Sequence, residues 1–123
     1  MSFFKKKTEF NEFEYQQIIN SISFICIQLN YSLDVKNKAI EIVKDAVKKK
    51  IHSSNPAENA AAAVYISRII IDSPTIKEEF EDEFDSKLAN NIIKTTGITK
   101  AAFKQYYIKY AETVDIDIIL ASK

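Results

Sequence analysis

The sequence is poor in the residues that build turns, metal sites and disulfides. Its 123 residues include one glycine, two prolines, one cysteine and one histidine. All-β folds need turn residues about every 8–12 positions, so this scarcity predicts a helical protein. A single cysteine excludes a disulfide framework and a cysteine-based zinc site, and a single histidine leaves little for hydrolytic or metal chemistry.

Net charge and long apolar runs are also lacking. The 17 basic residues balance 17 acidic ones, which argues against a histone-like surface but allows a local basic patch. No apolar run is long enough for a membrane span, and no apolar segment follows the charged start at Lys5–Lys7 as in a signal peptide. We therefore expect an intracellular protein without membrane contact.

Hydrophobic periodicity predicts an all-α fold with a single five-helix domain over residues 11–113. The predicted helices cover about 11–29, 34–50, 56–71, 86–96 and 100–112, and a further short helix within 75–84 is plausible. Residues 1–10 would form an N-terminal arm. Residues 114–123 would form a C-terminal tail, either a short strand or an apolar arm packed on the body.

The first two predicted helices each show an apolar face. In the first, the residues expected near one face are Phe13, Ile18, Ile22, Ile25 and Leu29. Ser32 or Asp34 can cap the second. Its expected inward residues are Val35, Ala39, Ile42, Ala46 and Val47, and its other face carries Lys36, Lys38, Lys44 and Lys48–Lys50.

The third helix has the clearest start signal. Asn55 is a good N-cap, Pro56 suits the first helical position, and Glu58 stands three residues after the cap, as in a capping box. The segment Ala60–Ile71 is apolar on nearly every side, so this helix should be the most buried.

An acidic insertion is predicted at about residues 75–85. Residues 72–85 hold seven acidic residues and one lysine. Ile76, Phe80 and Phe84 follow helical spacing and would face the body. The residues expected to face water are Glu79, Glu81, Asp82 and Glu83. The segment as a whole is the predicted site of a protein contact that is specific to this chain.

From Ser86 the charge reverses. Residues 86–110 contain five lysines and no acidic residue, and the pattern predicts helix, turn, helix. Gly97 supplies a left-handed residue in the turn and Thr99 can cap the second helix. The expected inward residues are Leu88, Ile92, Phe103, Tyr107 and Tyr110.

The sequence shows no motif that is typical of catalysis or metal binding. His52 lies in a polar loop, where a solvated side chain is the simplest interpretation, and Cys26 lies among aliphatic residues, where burial is expected. The acidic insertion lacks the spacing and glycine of a calcium loop, and no glycine-rich phosphate loop is present. We predict no enzyme, no catalytic residue, no metal ligand and no cofactor.

The basic helix-turn-helix is the strongest candidate site. A helix that enters the major groove needs small or polar outward residues in its first turns. Lysine can neutralise phosphates or donate to guanine, and glutamine can pair with adenine. The predicted DNA-binding residues are Lys87, Lys94, Thr99, Lys100, Ala101, Lys104, Gln105 and Lys109. Two short helices with surface lysines in an ordinary helical bundle are the alternative interpretation.

Two segments resemble the cyclin-like repeats of transcription factor IIB and archaeal transcription factor B. The segment Asn55–Ser67, with its four alanines followed by Val64-Tyr65-Ile66, resembles the central helix of that repeat. The segment Gly97–Tyr107 resembles its last helix. Upstream, Phe24–Leu29 and the apolar positions of the second helix follow the register of the second repeat. The resemblance covers about Phe13–Ile71 and Leu88–Tyr110.

The resemblance implies a five-helix cyclin fold whose last two helices read a promoter element beside the TATA box. A valine and an arginine of the final helix do that reading in the family, and their positions fall here on Ala101 and Lys104. Alanine can still touch a thymine methyl, and lysine lacks the fork of arginine. The implied partners are double-stranded DNA and the TATA-binding protein or the RNA polymerase machinery. The implied location is cytoplasmic for an archaeal or archaeal-virus protein and nuclear for a eukaryotic one.

Three departures from the family shape the prediction. The sequence has no zinc ribbon, it has one cyclin repeat instead of two, and it carries the acidic insertion. The leading hypothesis is therefore a DNA-binding transcription regulator built on one repeat of the second-repeat type. The alternatives are a cyclin-box module that binds only protein, and a homodimeric repressor whose dimer surface is the apolar tail from Val114 to Leu120.

Overall fold

The computed structural model describes residues 12–71 and 87–113. They form five helices, namely α1 (Glu12–Leu29), α2 (Leu33–Lys48), α3 (Pro56–Ile71), α4 (Lys87–Thr96) and α5 (Lys100–Thr113), and these two stretches contain no strand. The predicted all-α, five-helix domain is confirmed. The acidic insertion with Ile76, Phe80 and Phe84, the N-terminal arm and the C-terminal tail lie outside the described residues.

Helix α3 lies at the centre of the domain, as its sequence predicts. Every residue from Asn59 to Ser67 is buried, and Ala60 to Ala63 are 0% exposed. Helices α1, α2, α4 and α5 all pack against it. Because an alanine side chain ends at Cβ, the neighbouring helices can approach the α3 backbone closely.

Helices α2 and α5 both run antiparallel to α3. The Ser67 hydroxyl, near the end of α3, donates to the Val35 carbonyl in the first turn of α2 at 2.6 Å. The Tyr65 ring meets the edge of Phe103 in the first half of α5, with the ring centroids 5.1 Å apart. Tyr110, near the end of α5, bonds to Asn59 near the start of α3. The first turn of α5 and the last turn of α2 therefore lie at opposite ends of the domain.

Capping bonds at the ends of α1 and α2 and at the start of α2 define the connections that precede α2 and α3. The Ser32 hydroxyl, not Asp34, caps α2 by accepting from the Val35 N–H at 3.3 Å. Helix α2 ends at Lys48, two residues before the predicted end. The reason is a left-handed Lys50 with φ of 58°, and Asn30 after α1 is also left-handed with φ of 60°. Backbone bonds of the Schellman type close both ends.

The predicted inward position of Phe13 is wrong, since its side chain is 69% exposed. Phe13 precedes Ile18 by five residues, which is a rotation of about 140° around a helix at 3.6 residues per turn. Tyr15, three residues before Ile18, packs against the core instead. Ile18, Ile22 and Ile25 are buried as predicted, and Leu29 is half-buried.

The predicted capping box at α3 exists in a relayed form. The Asn55 side chain accepts from the Ala57 N–H at 2.9 Å, as an N-cap should. The Glu58 carboxylate does not bond directly to the Asn55 N–H. Instead it accepts from the Ser53 hydroxyl at 2.6 Å, and that hydroxyl oxygen accepts from the Asn55 N–H at 3.0 Å. Ser53 thus joins the loop after α2 to the start of α3.

Enlarging the alanine run should destabilise the domain. Ala62 is 0% exposed and faces packed helices, so Ala62→Leu should lower the free energy of unfolding by about 1–3 kcal/mol through overpacking. Urea denaturation followed by circular dichroism measures this. The matched control is Ala101→Leu, because Ala101 is exposed on another helix and should accept the larger side chain with little loss. Equal stability of the two variants would contradict a tightly packed α3.

Candidate nucleic-acid interface

Helices α4 and α5 are joined by a turn of three residues. Gly97 is left-handed with φ of 75°, and its N–H donates to the Ile93 carbonyl at 2.9 Å, which closes α4. The Thr99 hydroxyl accepts from the Ala102 N–H at 3.0 Å and so caps α5. The predicted left-handed Gly97 and the predicted cap at Thr99 are confirmed.

The inner face of α5 is an aromatic surface packed on α3. Phe103, Tyr107 and Tyr110 are buried, as predicted. The Tyr65 ring contacts both Phe103 and Tyr107 edge-on, with centroids 5.1 and 4.9 Å away. These contacts set the rotation of α5 about its own axis, and therefore decide which residues it presents to solvent.

Each residue that the sequence nominated is exposed on α4, on α5 or in the turn between them. All eight are exposed: Lys87, Lys94, Thr99, Lys100, Ala101, Lys104, Gln105 and Lys109. On a helix of 3.6 residues per turn, Ala101, Lys104 and Gln105 fall within an arc of about 100°. Lys100 and Lys109 lie on either side of that arc, each about 40° beyond its edge.

Ile108 belongs to the same outward arc and sequence reasoning missed it. It is 44% exposed and stands four residues after Lys104 and seven after Ala101. That spacing was visible in the sequence, but an isoleucine beside Tyr107 carried no polar signal. An exposed aliphatic side chain can contact the methyl group of thymine.

Lys109 has a defined position on the flank of α5. Its ammonium lies over the ring of Tyr106, 5.2 Å from the centroid. This cation–π contact spans one helical turn and keeps the charge beside the helix while leaving the side chain exposed.

A buried asparagine, Asn59, fixes the other end of α5, and sequence reasoning missed it. The Asn59 side-chain oxygen accepts from the Ser53 N–H at 2.8 Å and from the Tyr110 hydroxyl. Its amide nitrogen donates to the carbonyls of Ser53 at 2.7 Å and Asn55 at 3.2 Å. One side chain thus joins α3, α5 and the loop between α2 and α3.

The Tyr110 hydroxyl makes stability sensitive to alkaline pH. Burial, and to a lesser degree the nearby Tyr106, raises the pKa of Tyr110 above its ordinary value of 10. The folded state therefore keeps this proton where the unfolded chain loses it. The contribution of Tyr110 is complete below pH 10 and falls as pH rises toward the folded pKa.

We expect Tyr110→Phe to weaken this dependence. Above about pH 10 the free energy of unfolding should fall less steeply in the variant, by up to about 1.4 kcal/mol per pH unit. Urea denaturation of both proteins between about pH 8 and 11 measures the two slopes. Parallel slopes would show that Tyr110 ionises equally in both states.

The remaining sequence candidates do not assemble a second site of this kind. Cys26 is buried as predicted, and burial raises the pKa of its thiol, with Lys36 opposing the shift. His52 is half-buried, and it lines a cleft of about 300 Å³ together with Glu14 and Asn59. Residues 12–71 and 87–113 contain no group of histidine, cysteine, aspartate and glutamate that could hold a metal ion. Among the described helices, none is long and apolar enough to cross a membrane.

An all-α domain of five helices with a central alanine-rich helix is consistent with a cyclin-like repeat of transcription factor IIB. Comparison with known proteins finds distant similarity to archaeal transcription initiation factor IIB. The protein of that name from Methanothrix thermoacetophila is 32% identical over 103 residues, which are 83% of this chain and 27% of the relative. The corresponding protein of Methanosarcina mazei is 30% identical over 103 residues, with the same two shares.

A third relative, transcription initiation factor IIB of Archaeoglobus fulgidus, is 30% identical over 96 residues, which are 77% of this chain and 26% of that relative. The chain thus spans about a quarter of the length of the relatives it matches. No family model matches the sequence. No solved structure matches it either. The relatives are named as transcription initiation factors and not as enzymes, in agreement with the prediction of a non-enzymatic protein.

Proposed function

We propose that this chain is a DNA-binding regulator of transcription built on one cyclin-like repeat, of the second-repeat type, in which α4 and α5 act as a helix-turn-helix. The similarity to transcription initiation factor IIB supports a role in transcription initiation. The observation that carries the DNA contact is the outer face of α4 and α5, where five exposed lysines stand without an acidic residue between positions 87 and 111.

We assign one group of residues on α4 and α5 to contacts with bases and another group to contacts with phosphates. Ala101, Lys104 and Gln105 lie on one strip near the first turn, where a helix in the major groove meets base edges. Ala101 suits a thymine methyl and Lys104 suits guanine. The residues assigned to phosphates are Lys87, Lys94, Lys100 and Lys109, which flank the strip.

The proposed protein partners are the TATA-binding protein or the RNA polymerase machinery. The similarity to transcription initiation factor IIB supports these partners, and we expect the domain to act with them on a promoter. Co-purification with the TATA-binding protein in the presence and absence of duplex DNA would test that part separately.

Substituting Lys104 tests the base-contacting role. Lys104→Ala should change the preferred base at one position of the selected site, while Lys100→Ala should weaken all sequences alike. In vitro selection from a random duplex library, followed by a gel-shift titration at two salt concentrations, measures both effects. Identical selected sites and affinities for the two variants and the unaltered protein would refute the assignment, provided that circular dichroism shows an intact fold.

A second candidate function, a cyclin-box module that binds only protein, draws on a different surface. Phe24, Ile27 and Leu33 are 51%, 76% and 65% exposed at the corner between α1 and α2. Ile27 and Leu33 line an apolar cleft of about 350 Å³ together with Cys26. No residue from Tyr15 to Leu33 is charged, which favours an apolar protein partner.

Ile27→Asp should abolish the contact with such a partner and leave DNA binding unchanged. Sedimentation of the unaltered protein would show whether the partner is a second copy of this chain.

A further inference from the structure

The end of α2 carries a lysine cluster that the proposed helix-turn-helix does not use. Residues 44–50 contain four lysines and one aspartate, and Lys44, Lys48, Lys49 and Lys50 are all exposed. The nearest preceding acidic residue, Glu41, pairs with Lys38 at 3.0 Å. Among residues 12–71 and 87–113, no ion pair joins Lys44, Lys48 or Lys50 to a carboxylate. We call these four residues the α2 lysine cluster.

The backbone holds this cluster in a fixed shape. The Lys50 N–H donates to the Val47 carbonyl and the Ile51 N–H to the Ala46 carbonyl, each at 3.1 Å. Ile51 then packs against the core, so the cluster stands between two fixed segments. Lys50 has φ of 58°, a conformation in which glycine would be less strained. Glycine is the favoured residue at a left-handed helix end, so the end of α2 does not by itself explain the lysine at position 50.

The position of the α2 lysine cluster makes it a separate surface. Because α2 and α5 are both antiparallel to α3, the cluster lies at the start of α3, whereas Lys100 and Lys104 lie at its end. Helix α3 has 16 residues and is therefore about 24 Å long. Lys100 and Lys104 are thus separated from the cluster by roughly the length of the domain, whereas Lys109, next to Tyr110, lies at the same end of the domain as the cluster.

We infer that the α2 lysine cluster is a second contact surface for the phosphate backbone of duplex DNA. Lysine is a point charge that suits phosphates without sequence preference, whereas recognition of carboxylates by geometry favours arginine, which the cluster lacks. Lys44 and Lys48 are four residues apart and so project from the same side of α2. This inference builds on the proposed DNA-binding function by adding a site that α5 cannot replace.

The test compares three double variants with the unaltered protein. Lys44→Ala/Lys48→Ala removes two charges from the cluster, and Lys44→Arg/Lys48→Arg keeps them. Lys36→Ala/Lys38→Ala removes the same charge from the same helix outside the cluster. Fluorescence anisotropy with a 30-base-pair duplex of mixed sequence, at about 50 and 200 mM salt, gives affinity and salt slope. Lys100→Ala/Lys104→Ala is measured in parallel, and thermal denaturation checks the fold of each variant.

We expect Lys44→Ala/Lys48→Ala to weaken every duplex by about five- to tenfold per lysine near 0.1 M salt and to lower the salt slope by about two. The Arg pair and the Lys36/Lys38 pair should keep the original slope. An unchanged slope in the α2 cluster variant would overturn the inference, even if the α5 variant loses affinity as the proposed function requires. A loss in the cluster variant without a loss in the α5 variant would support the inference and refute the role of α5. If the unaltered protein bound polyglutamate through the α2 lysine cluster and did not bind duplex there, the partner would be an acidic protein and the inference would be overturned.

Discussion

Replacing Asn59 by leucine should lower the free energy of unfolding by about 3–5 kcal/mol, a larger effect than any other single change proposed. The variant keeps the branched shape of the side chain, although leucine is larger, and it removes the partners of the Ser53 N–H, the Ser53 carbonyl and the Tyr110 hydroxyl. Each buried polar group left without a partner costs about 1–3 kcal/mol. Urea denaturation followed by circular dichroism gives the free energy.

Tyr110→Phe is the control for Asn59→Leu. It removes one donor, and the Asn59 oxygen still accepts from the Ser53 N–H, so the expected loss is only about 1–2 kcal/mol. Because the two residues bond to each other, the double variant should lose less than the sum of the single losses. A cost below about 1 kcal/mol for Asn59→Leu would mean that water or a rearranged loop replaces the lost bonds.

Removing all four proposed phosphate contacts on α4 and α5 should nearly abolish DNA binding. The variant replaces Lys87, Lys94, Lys100 and Lys109 by alanine. Each phosphate contact contributes about 0.9 to the salt slope, so the slope should fall by about four and the affinity near 0.1 M salt by about a thousandfold. Anisotropy titrations of one duplex over a series of salt concentrations measure both quantities.

The matched control replaces the same four lysines by arginine, which keeps the charge and should keep the slope. Circular dichroism is expected to be unchanged in both variants, because all four side chains are exposed. If the alanine variant retained the original slope with an intact fold, the outer face of α4 and α5 would not be the DNA surface.

The parts of the fold that depend on local chemistry were predictable from sequence. The cap at Asn55, the left-handed Gly97 and the cap at Thr99 each depend on residues within a few positions, and the structure contains all three. The central position of α3 was predictable too, because a helix that is apolar on every side has no face left for water.

The parts that depend on distant residues were not predictable in this way. Asn59 resembles an ordinary surface residue of a first helical turn, and its burial depends on Tyr110, which is 51 positions away. Phe13 was misplaced because its five-residue spacing from Ile18 turns it by about 140° away from the inward face, which Tyr15 joins instead. Ile108 was missed for a different reason: its spacing places it on the outward arc, but an isoleucine beside Tyr107 carries no polar signal.

The bond between Asn59 and Tyr110 has a consequence for local unfolding. The loop that holds Ser53 and the last turns of α5 share this one side chain, although 57 positions separate Ser53 from Tyr110. When the loop opens, the end of α5 loses its partner in the same event, so the two segments form one cooperative unit. The opposite end of α5, with Lys100 and Ala101, lies outside that unit and is held separately, through the contact of Phe103 with Tyr65.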